Sequence, residues 1–231
     1  MIPKEIMKLY EKLAFSRGYE EAFRDFLDVC LYYLSVGMLA EDYRRVEKRY
    51  KPYEMELFVQ MFYRVSEYSE GFCDVLGDMF MECVSHGNNG QFFTPIHVAD
   101  LMACMGGNRL KPKQSVCDSC SGSGGMLLSA VKKCAEENDG GRLFCYGSDI
   151  DLICVKMTVV NLMMNSVPGE VAWMNTLTMQ HWRSYHIDLQ LMKWKSRRMV
   201  IISLSDNEAL RLRFSFHQRL EEGFSLTQTH Q

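Results

Sequence analysis

The chain has 231 residues, of which 47% are hydrophobic and 24% charged, a composition typical of soluble globular proteins and unlike that of disordered or fibrous ones. This length can bury a substantial core, either as one decorated α/β domain or as two small domains. The formal net charge of -3 excludes the strongly basic footprint of proteins that hold DNA by overall charge, so any DNA contact must come from a local patch or a partner.

Cysteine usage and hydropathy indicate the compartment. Nine cysteines are scattered as single residues in apolar surroundings, which predicts reduced, buried thiols rather than a disulfide framework. Residues 1–15 alternate charged and apolar side chains and lack the apolar centre of a signal peptide, and no run approaches the roughly 20 apolar residues of a membrane span. We therefore expect a cytoplasmic protein with no membrane partner.

The first 85 residues are predicted to be helical, because apolar side chains recur there at intervals of three and four residues. The three clearest stripes begin at Phe23, Met55 and Phe72. Stripes of this kind normally form packing surfaces, and no catalytic role is predicted for them. The turn-rich run 86–90 predicts a boundary between a helical segment at 1–87 and a second unit at 88–231.

The second unit opens with a strong helix start. Thr94 supplies an N-cap hydroxyl, and Pro95 follows at the first helical position. The helix is predicted to end at Gly106. Its inward face is predicted to carry Val98, Leu101, Met102 and Met105.

From residue 115 the sequence alternates strands and helices. Strands are predicted at 115–118, 143–149, 171–174 and 199–204, and helices at about 124–137 and 152–164. Strand and helix in alternation indicate βαβ units, whose right-handed crossovers give a parallel sheet with helices on both faces. The predicted fold class is therefore α/β, a Rossmann-like core at 88–231 that is truncated or divergent after about residue 180, preceded by the helical segment.

A glycine-rich loop lies where the first strand passes into the first helix of this core. Residues 118–127 read Asp-Ser-Cys-Ser-Gly-Ser-Gly-Gly-Met-Leu, and ligands of open α/β sheets bind at this place. Gly122 and Gly124 would let the backbone approach a ligand closely. No Lys-Ser or Lys-Thr follows, which excludes a P-loop, and Leu127 replaces the third glycine of the dinucleotide pattern, which argues against a nicotinamide-dependent dehydrogenase.

Two acids at strand ends indicate the ligand. Asp118 ends the first strand and suits a positively charged amino group. Asp149 ends the second strand, where a carboxylate can accept hydrogen bonds from both hydroxyls of a ribose. An amino acid joined to a nucleoside without a phosphate describes S-adenosylmethionine, which is the predicted cofactor.

Four ordered segments, together with Asn161, resemble the N6-adenine DNA methyltransferases that serve as methylation subunits of type I restriction-modification systems. Residues 90–95 are similar to that family's Gly-Gln-Phe-[Phe/Tyr]-Thr-Pro motif, and residues 118–127 to its Asp-Pro-Ala-Cys-Gly-Ser-Gly-Gly-Phe-Leu loop. Residues 146–150 resemble the segment whose acid binds the ribose, and Asn161 lies where relatives carry Met-Asn-Leu. Residues 175–177 resemble the Gly-Asn-Thr-Leu segment whose polar side chain meets the adenine edge.

The resemblance implies a cofactor site, a substrate and partners. At least one phenylalanine of residues 92–93 is expected to face the cofactor, because adenine offers a π-face for stacking. DNA is implied as the substrate, bound with a specificity subunit or another chain, and a protein partner or a homo-oligomer stays open. The implied cofactor site comprises Gln91, Phe92, Phe93, Thr94, Asp118, Ser119, Gly122, Ser123, Gly124, Asp149, Ile150, Asn175 and Thr176.

The family's target-base motif, [Asn/Asp/Ser]-Pro-Pro-[Tyr/Phe/Trp], has no recognisable counterpart, because no two prolines are adjacent in the chain. It would fall at residues 193–196 if the fourth strand begins at Ile187, or at 205–208 if that strand is 199–204. Catalytic residues are therefore not assigned. Two hypotheses stay open: a methylation subunit that needs another chain, and a degenerate or truncated methylase that keeps the cofactor pocket for binding or assembly.

Two further patterns have simpler interpretations. Cys117 and Cys120 form a Cys-x-x-Cys, but zinc would need two more ligands, so no metal site is predicted and both thiols are expected to be buried. The basic run 193–198 contains one tryptophan, as strand-binding surfaces often do. A solvated charged run is the preferred interpretation.

Overall fold

The structure is a computed structural model that describes residues 2–37, 39–85, 92–106, 110–191 and 198–205, with backbone alone for 189–191 and 198–205. None of the described helices combines the length and the apolar character that crossing a bilayer requires. A π-helical turn, Met81–Ser85, follows the fifth helix. In chain order the elements are α1 (Lys4–Ala14), α2 (Tyr19–Leu34), α3 (Ala40–Glu47), α4 (Pro52–Tyr68), α5 (Val75–Phe80), α6 (Ile96–Met105), β1 (Ser115–Asp118), α7 (Gly125–Glu137), β2 (Phe144–Asp149), α8 (Leu152–Met164), β3 (Gly169–Asn175), β4 (Gln180–Leu191) and β5 (Arg198–Ser205).

The N-terminal helices bury the apolar stripes that the sequence spacing predicts. Phe26 of α2 stacks on Phe58 of α4 with ring centroids 6.4 Å apart, and both side chains are fully buried. Helices α1 and α3 lie within the stretch that is predicted to be helical, although neither carries one of the three clearest stripes. α1 nevertheless contributes Ile6 and Tyr10 to the same core.

The segment from β1 to β3 is the predicted βαβαβ unit. β1 pairs with β2 and β2 with β3, both in parallel, and α7 and α8 form the two crossovers. The observed bounds of these elements lie within three residues of the predicted ones. α8 is buried nearly all round, since it lies between the sheet and α2. The Rossmann-like α/β class is confirmed.

The sheet continues differently after β3. Its strand order is β1-β2-β3-β4-β5, and β4 and β5 each run antiparallel to their preceding neighbour. Only a short turn separates β3 from β4, and a tight turn can join antiparallel strands but not parallel ones. The predicted strand 199–204 is thus β5 of a hairpin. Because both crossovers step in the same direction, α7 and α8 lie on one face of the sheet rather than on both.

The predicted inward face of α6 is wrong. α6 packs on α7 through Ala99, which is 1% exposed, and through Asp100, which accepts a hydrogen bond from the Ser129 hydroxyl at 2.7 Å. α6 is apolar around most of its circumference, so spacing alone does not identify the core side. The helix begins at Ile96, with Pro95 at the N-cap. The four residues predicted to face inward are 44–79% exposed: Val98, Leu101, Met102 and Met105.

The N-terminal helices join the sheet layer through a continuous apolar core and a buried ion pair. Asp28 of α2 is 1% exposed and pairs with Lys156 of α8 and with Arg45, whose Nη2 lies 2.7 Å away. Burial raises the pKa of Asp28, and the charge of Lys156 opposes that rise. The predicted boundary at residue 88 stays a prediction, and the apolar core runs across it.

Candidate cofactor site

A cleft lies at the carboxyl ends of β1 and β2. The register pairs Asp118 with Gly147, so the two strands end side by side and the glycine-rich loop leaves β1 at that edge. The cleft has a volume of about 190 Å³. It is lined by Phe92, Phe93, Thr94, Asp118, Cys120, Ser121, Gly122, Ser123, Gly125 and Met126.

The loop needs glycine at positions 122 and 124 for backbone conformation and for packing. Gly122 and Gly124 have φ values of +55° and +89°, in the left-handed region. A Cβ at Gly122 would lie 3.0 Å from the ring of Phe93, and one at Gly124 would lie 3.2 Å from Thr158. The space beside these glycines is therefore filled by the protein's own side chains, and not left open for a ligand as the sequence predicts.

Hydrogen bonds hold the loop in place. The N–H of Ser121 donates to the carbonyl of Ser148 at 2.9 Å, and the N–H of Gly124 donates to the carbonyl of Ser121 at 2.7 Å. The hydroxyl of Thr158 donates to the carbonyl of Gly122 at 2.9 Å. The loop is thus fixed to both β2 and α8.

Both predicted acids lie at this edge. Asp118 lines the cleft, and its Oδ1 accepts a hydrogen bond from the N–H of Cys120 at 3.1 Å. The oxygens of Asp149 accept from the N–H groups of Gly122 and Asp151 at 3.0 and 2.9 Å. Burial raises the pKa of Asp149, and these backbone donors lower it. Since each carboxylate oxygen has two lone pairs, both acids keep capacity to accept further hydrogen bonds.

Two aromatic rings form one wall of the cleft. Phe93 stacks on Phe80 of α5, with ring centroids 5.3 Å apart, and lies over Gly122. Phe92 is 75% exposed. The cleft wall therefore consists of one ring that packs against the core, Phe93, and one ring that is exposed to solvent, Phe92.

Comparison with known protein families identifies the family of this chain. Residues 72–201 match the model of the family described as N-6 DNA Methylase. This match covers more than half of the chain, from just before α5 into β5. The chain belongs to the N-6 DNA methylase family. The resemblance noted from the sequence is confirmed, and membership in the family implies S-adenosylmethionine as the cofactor.

Individual relatives of this chain are type I restriction enzyme methylase subunits. The type I restriction enzyme MpnII methylase subunit of Mycoplasma pneumoniae is 23% identical over 133 residues, which are 54% of this chain and 24% of that protein. The MjaIX methylase subunit of Methanocaldococcus jannaschii is 30% identical over 117 residues, 48% of this chain and 18% of that protein. The chain thus spans about a fifth to a quarter of the length of these relatives.

A solved structure similar to this chain is a putative class I S-adenosylmethionine-dependent methyltransferase from Listeria monocytogenes. The sequences are 13% identical, and the TM-score is 0.44. The similarity covers 73% of this chain and 51% of that chain.

Other predicted site residues lie apart from the cleft lining. Oδ1 of Asn175 accepts hydrogen bonds from the N–H groups of Leu177 and Thr178 at 3.0 and 3.1 Å, which closes the turn after β3. Thr176 lies in the same turn, and the carbonyl of Ser119 accepts from Ser148. Gln91 and the two positions considered for a target-base motif lie outside the described side chains. These assignments stay predictions.

Asp74 is not predicted from the sequence, yet its carboxylate accepts a hydrogen bond from the hydroxyl of Ser123, which lies 49 positions away in the chain. Its only sequence signal is an acid at a helix start, which predicts an N-cap and no contact with a distant loop. The structure also corrects the expectation for Cys117 and Cys120, because both are exposed. Within the described ranges, no group of three or more potential metal ligands comes together.

Proposed function

We propose that the chain binds S-adenosylmethionine at this cleft and forms the cofactor-holding part of an adenine-N6 DNA methylation subunit. One observation carries the proposal: Asp118, the glycine-rich loop and the Phe92–Phe93 wall surround a single cleft at the carboxyl end of β1. Ligands of open α/β sheets bind at this edge. The family match supports the same cofactor.

Different residues of the site fit different parts of this cofactor. A cleft of about 190 Å³ is smaller than the pockets that enclose drug-sized ligands, so it suits the amino-acid end alone. Asp118 would accept hydrogen bonds from the amino group, and Asp149 would accept them from the ribose hydroxyls. Ile150 is 60% exposed beside Asp149 and offers an apolar surface to the adenine. When bound, S-adenosylmethionine supplies the methyl group.

DNA and a second polypeptide belong to the same proposal. The relatives are methylase subunits of type I restriction enzymes, which supports DNA as the substrate. The chain has no adjacent prolines, so the target adenine would be held by another chain or by residues of a different kind. The same observation favours a second candidate, a module that keeps the cofactor for assembly or regulation without methyl transfer.

Calorimetry tests the cofactor. We expect the full chain to bind S-adenosylmethionine with a dissociation constant in the micromolar range and to show no binding of NAD. Asp118→Ala and Asp149→Ala should each weaken binding by about tenfold, because each removes a charge-assisted acceptor. Glu136→Ala is the matched control, since it removes an exposed acid on α7 that does not line the cleft. Equal affinity for NAD, or full affinity in both variants, would contradict the proposal.

Methyl transfer separates the two candidate functions. The chain is incubated with methyl-labelled S-adenosylmethionine and adenine-containing DNA, first alone and then with the products of neighbouring genes. Label in DNA only when a second chain is present is the expected result. Transfer by the chain alone would refute the need for a partner, and binding without transfer in every mixture would favour the assembly module.

A further inference from the structure

A polar cluster lies against the glycine-rich loop, around Ser123, which also lines the cleft. It joins Asp74 at the N-cap of α5, Ser123 of the loop and Asn161 of α8. Ser123 is 2% exposed and Asn161 is fully buried. Three segments that are distant in sequence thus meet at one loop residue.

The cluster holds Ser123 by both its side chain and its backbone. Oδ2 of Asp74 accepts a hydrogen bond from the hydroxyl of Ser123, and Oδ1 accepts from Nδ2 of Asn161 and from the N–H of Gly77, both at 2.8 Å. Nδ2 of Asn161 also donates to the carbonyl of Ser123 at 2.8 Å. Asp74 and Asn161 therefore bind each other as well as the loop.

Close packing leaves the Asp74 carboxylate little freedom. A Cβ on Gly77 would collide with Oδ2 of Asp74 and would lie 2.7 Å from the hydroxyl oxygen of Ser123. A Cβ on Gly125 would lie 3.1 Å from the same Oδ2. The carboxylate thus lies tightly packed between the backbone of α5 and that of the loop. A small displacement of the carboxylate would therefore displace the loop as well.

We propose that Asp74 is a positioning residue for the cofactor loop, which it fixes through Ser123 and Asn161 in the conformation that faces the cleft. This inference rests on the proposed function of the cleft. Gly122 and Gly124 flank Ser123, and glycines lose the most conformational freedom on ordering. A loop that is already ordered before the cofactor arrives binds it more tightly, because less entropy is lost on binding.

Hydrogen exchange of the protein without cofactor tests the loop directly. In Asp74→Ala and in Ser123→Ala, the amides of residues 119–125 should exchange about tenfold faster than in the wild type, while those of α4 keep their rates. Asp74→Asn should keep slow exchange, because its amide can donate to the hydroxyl oxygen of Ser123 and accept from the N–H of Gly77. Ser69→Ala, which removes a buried hydroxyl bonded to Val65 instead, should leave the loop unchanged.

Calorimetry with S-adenosylmethionine then tests the consequence. Asp74→Ala and Ser123→Ala should each lower affinity by about tenfold, and the double variant should lose no more than Asp74→Ala, since both changes break one link. Unchanged loop exchange in Asp74→Ala, an equal rise in α4, or losses that multiply in the double variant would overturn the inference. If the wild type binds no cofactor while Asp74→Ala still loosens the loop, the proposed function fails and the positioning of the loop stands.

Discussion

The backbone at Gly122 has a left-handed φ of +55°, and its N–H donates to Asp149. The ring of Phe93 occupies the position next to it where a side chain would begin. Gly122 therefore contacts both the end of β2, through Asp149, and the aromatic wall of the cleft, through Phe93. An L-residue here would be strained in backbone and crowded by Phe93 at once.

Alanine at this position should cost more than alanine at an open glycine. Gly122→Ala combines about 1–2 kcal/mol of left-handed strain with about 1–3 kcal/mol of overpacking against Phe93. Gly140→Ala is the matched control, since Gly140 has a φ of +77° and an added Cβ there would meet no described atom within 4 Å. Urea unfolding should show a larger loss of stability for Gly122→Ala, and calorimetry should show weaker cofactor binding. Equal losses in the two variants would contradict this view of the loop.

The charge state of Asp74 predicts a pH dependence of stability. Burial raises the pKa of this carboxyl above 3.8, although hydrogen bonds from Ser123, Gly77 and Asn161 lower it. The folded protein therefore holds this proton more tightly than the unfolded chain, so the group's stabilising contribution is present below 3.8 and is lost as pH rises through the raised pKa.

Asp74→Asn carries no charge and should gain stability relative to the wild type as the pH rises from about 4 to about 7. Urea unfolding of both proteins at each pH measures the difference in their free energies of unfolding. The contributions of the other titrating groups are the same in both proteins and cancel in this difference. A difference that stays constant with pH would contradict the assignment.

The sequence predicts one part of the site and not the other. Asp118, Gly122 and Asp149 are predictable because they sit at strand ends and in the loop that follows, where the fold itself exposes residues to a ligand. Asp74 is not predictable in this way. Its contact with Ser123 depends on how α5 packs against α8, which no local pattern encodes.

Among the elements, α6 and α7 lie side by side and differ in what they bury. α7 directs Leu127 and Leu128 into the core, with exposures of 1% and 0%. α6 buries Ala99 and leaves Leu101 59% exposed. The apolar content of the two helices is therefore a poor guide to their share of the stability.

Paired truncations measure that share. Leu128→Ala should lower the free energy of unfolding by about 2–5 kcal/mol, because it leaves a cavity in the core. Leu101→Ala, the same change on α6, should alter it by about 0.5 kcal/mol or less. Urea unfolding of both variants checks the orientation of α6. A loss of several kcal/mol for Leu101→Ala would instead indicate that Leu101 faces the core, as the sequence spacing predicts.

The sheet shows which elements the sequence can predict. β1, α7, β2, α8 and β3 follow from alternating apolar runs and helical spacing, because each crossover fixes the direction of the next strand. β4 is harder to predict, since Gln180–Leu191 includes charged residues and histidines among its apolar ones. Its direction is set by the turn at Asn175, whose side chain bonds two backbone N–H groups.

At the scale of the molecule, the helical segment and the α/β core share their interior. Apolar side chains from α1 to α5 pack in one cluster with those of α7, α8 and the sheet. Asp28 and Lys156 add a buried ion pair across the same junction, and removing one partner of such a pair costs about 3–5 kcal/mol. The two segments should therefore unfold together.

Two probes differ in which segments they report on. Far-UV circular dichroism follows the helices of both segments, whereas tryptophan fluorescence follows the second segment alone, because all three tryptophans, Trp173, Trp182 and Trp194, lie after residue 88. Both signals should change at the same urea concentration in a single transition. Lys156→Ala should shift both midpoints equally. Separate midpoints in the wild type would instead favour two independent domains divided near residue 88.

The location of the cofactor is the central claim, and a crystal structure of the chain with S-adenosylmethionine tests it most directly. We expect the amino-acid end within hydrogen-bonding distance of Asp118 and the ribose hydroxyls within that distance of Asp149, with the loop at 119–125 unmoved. A cofactor bound elsewhere, or one that leaves both carboxylates without contact, would contradict the account.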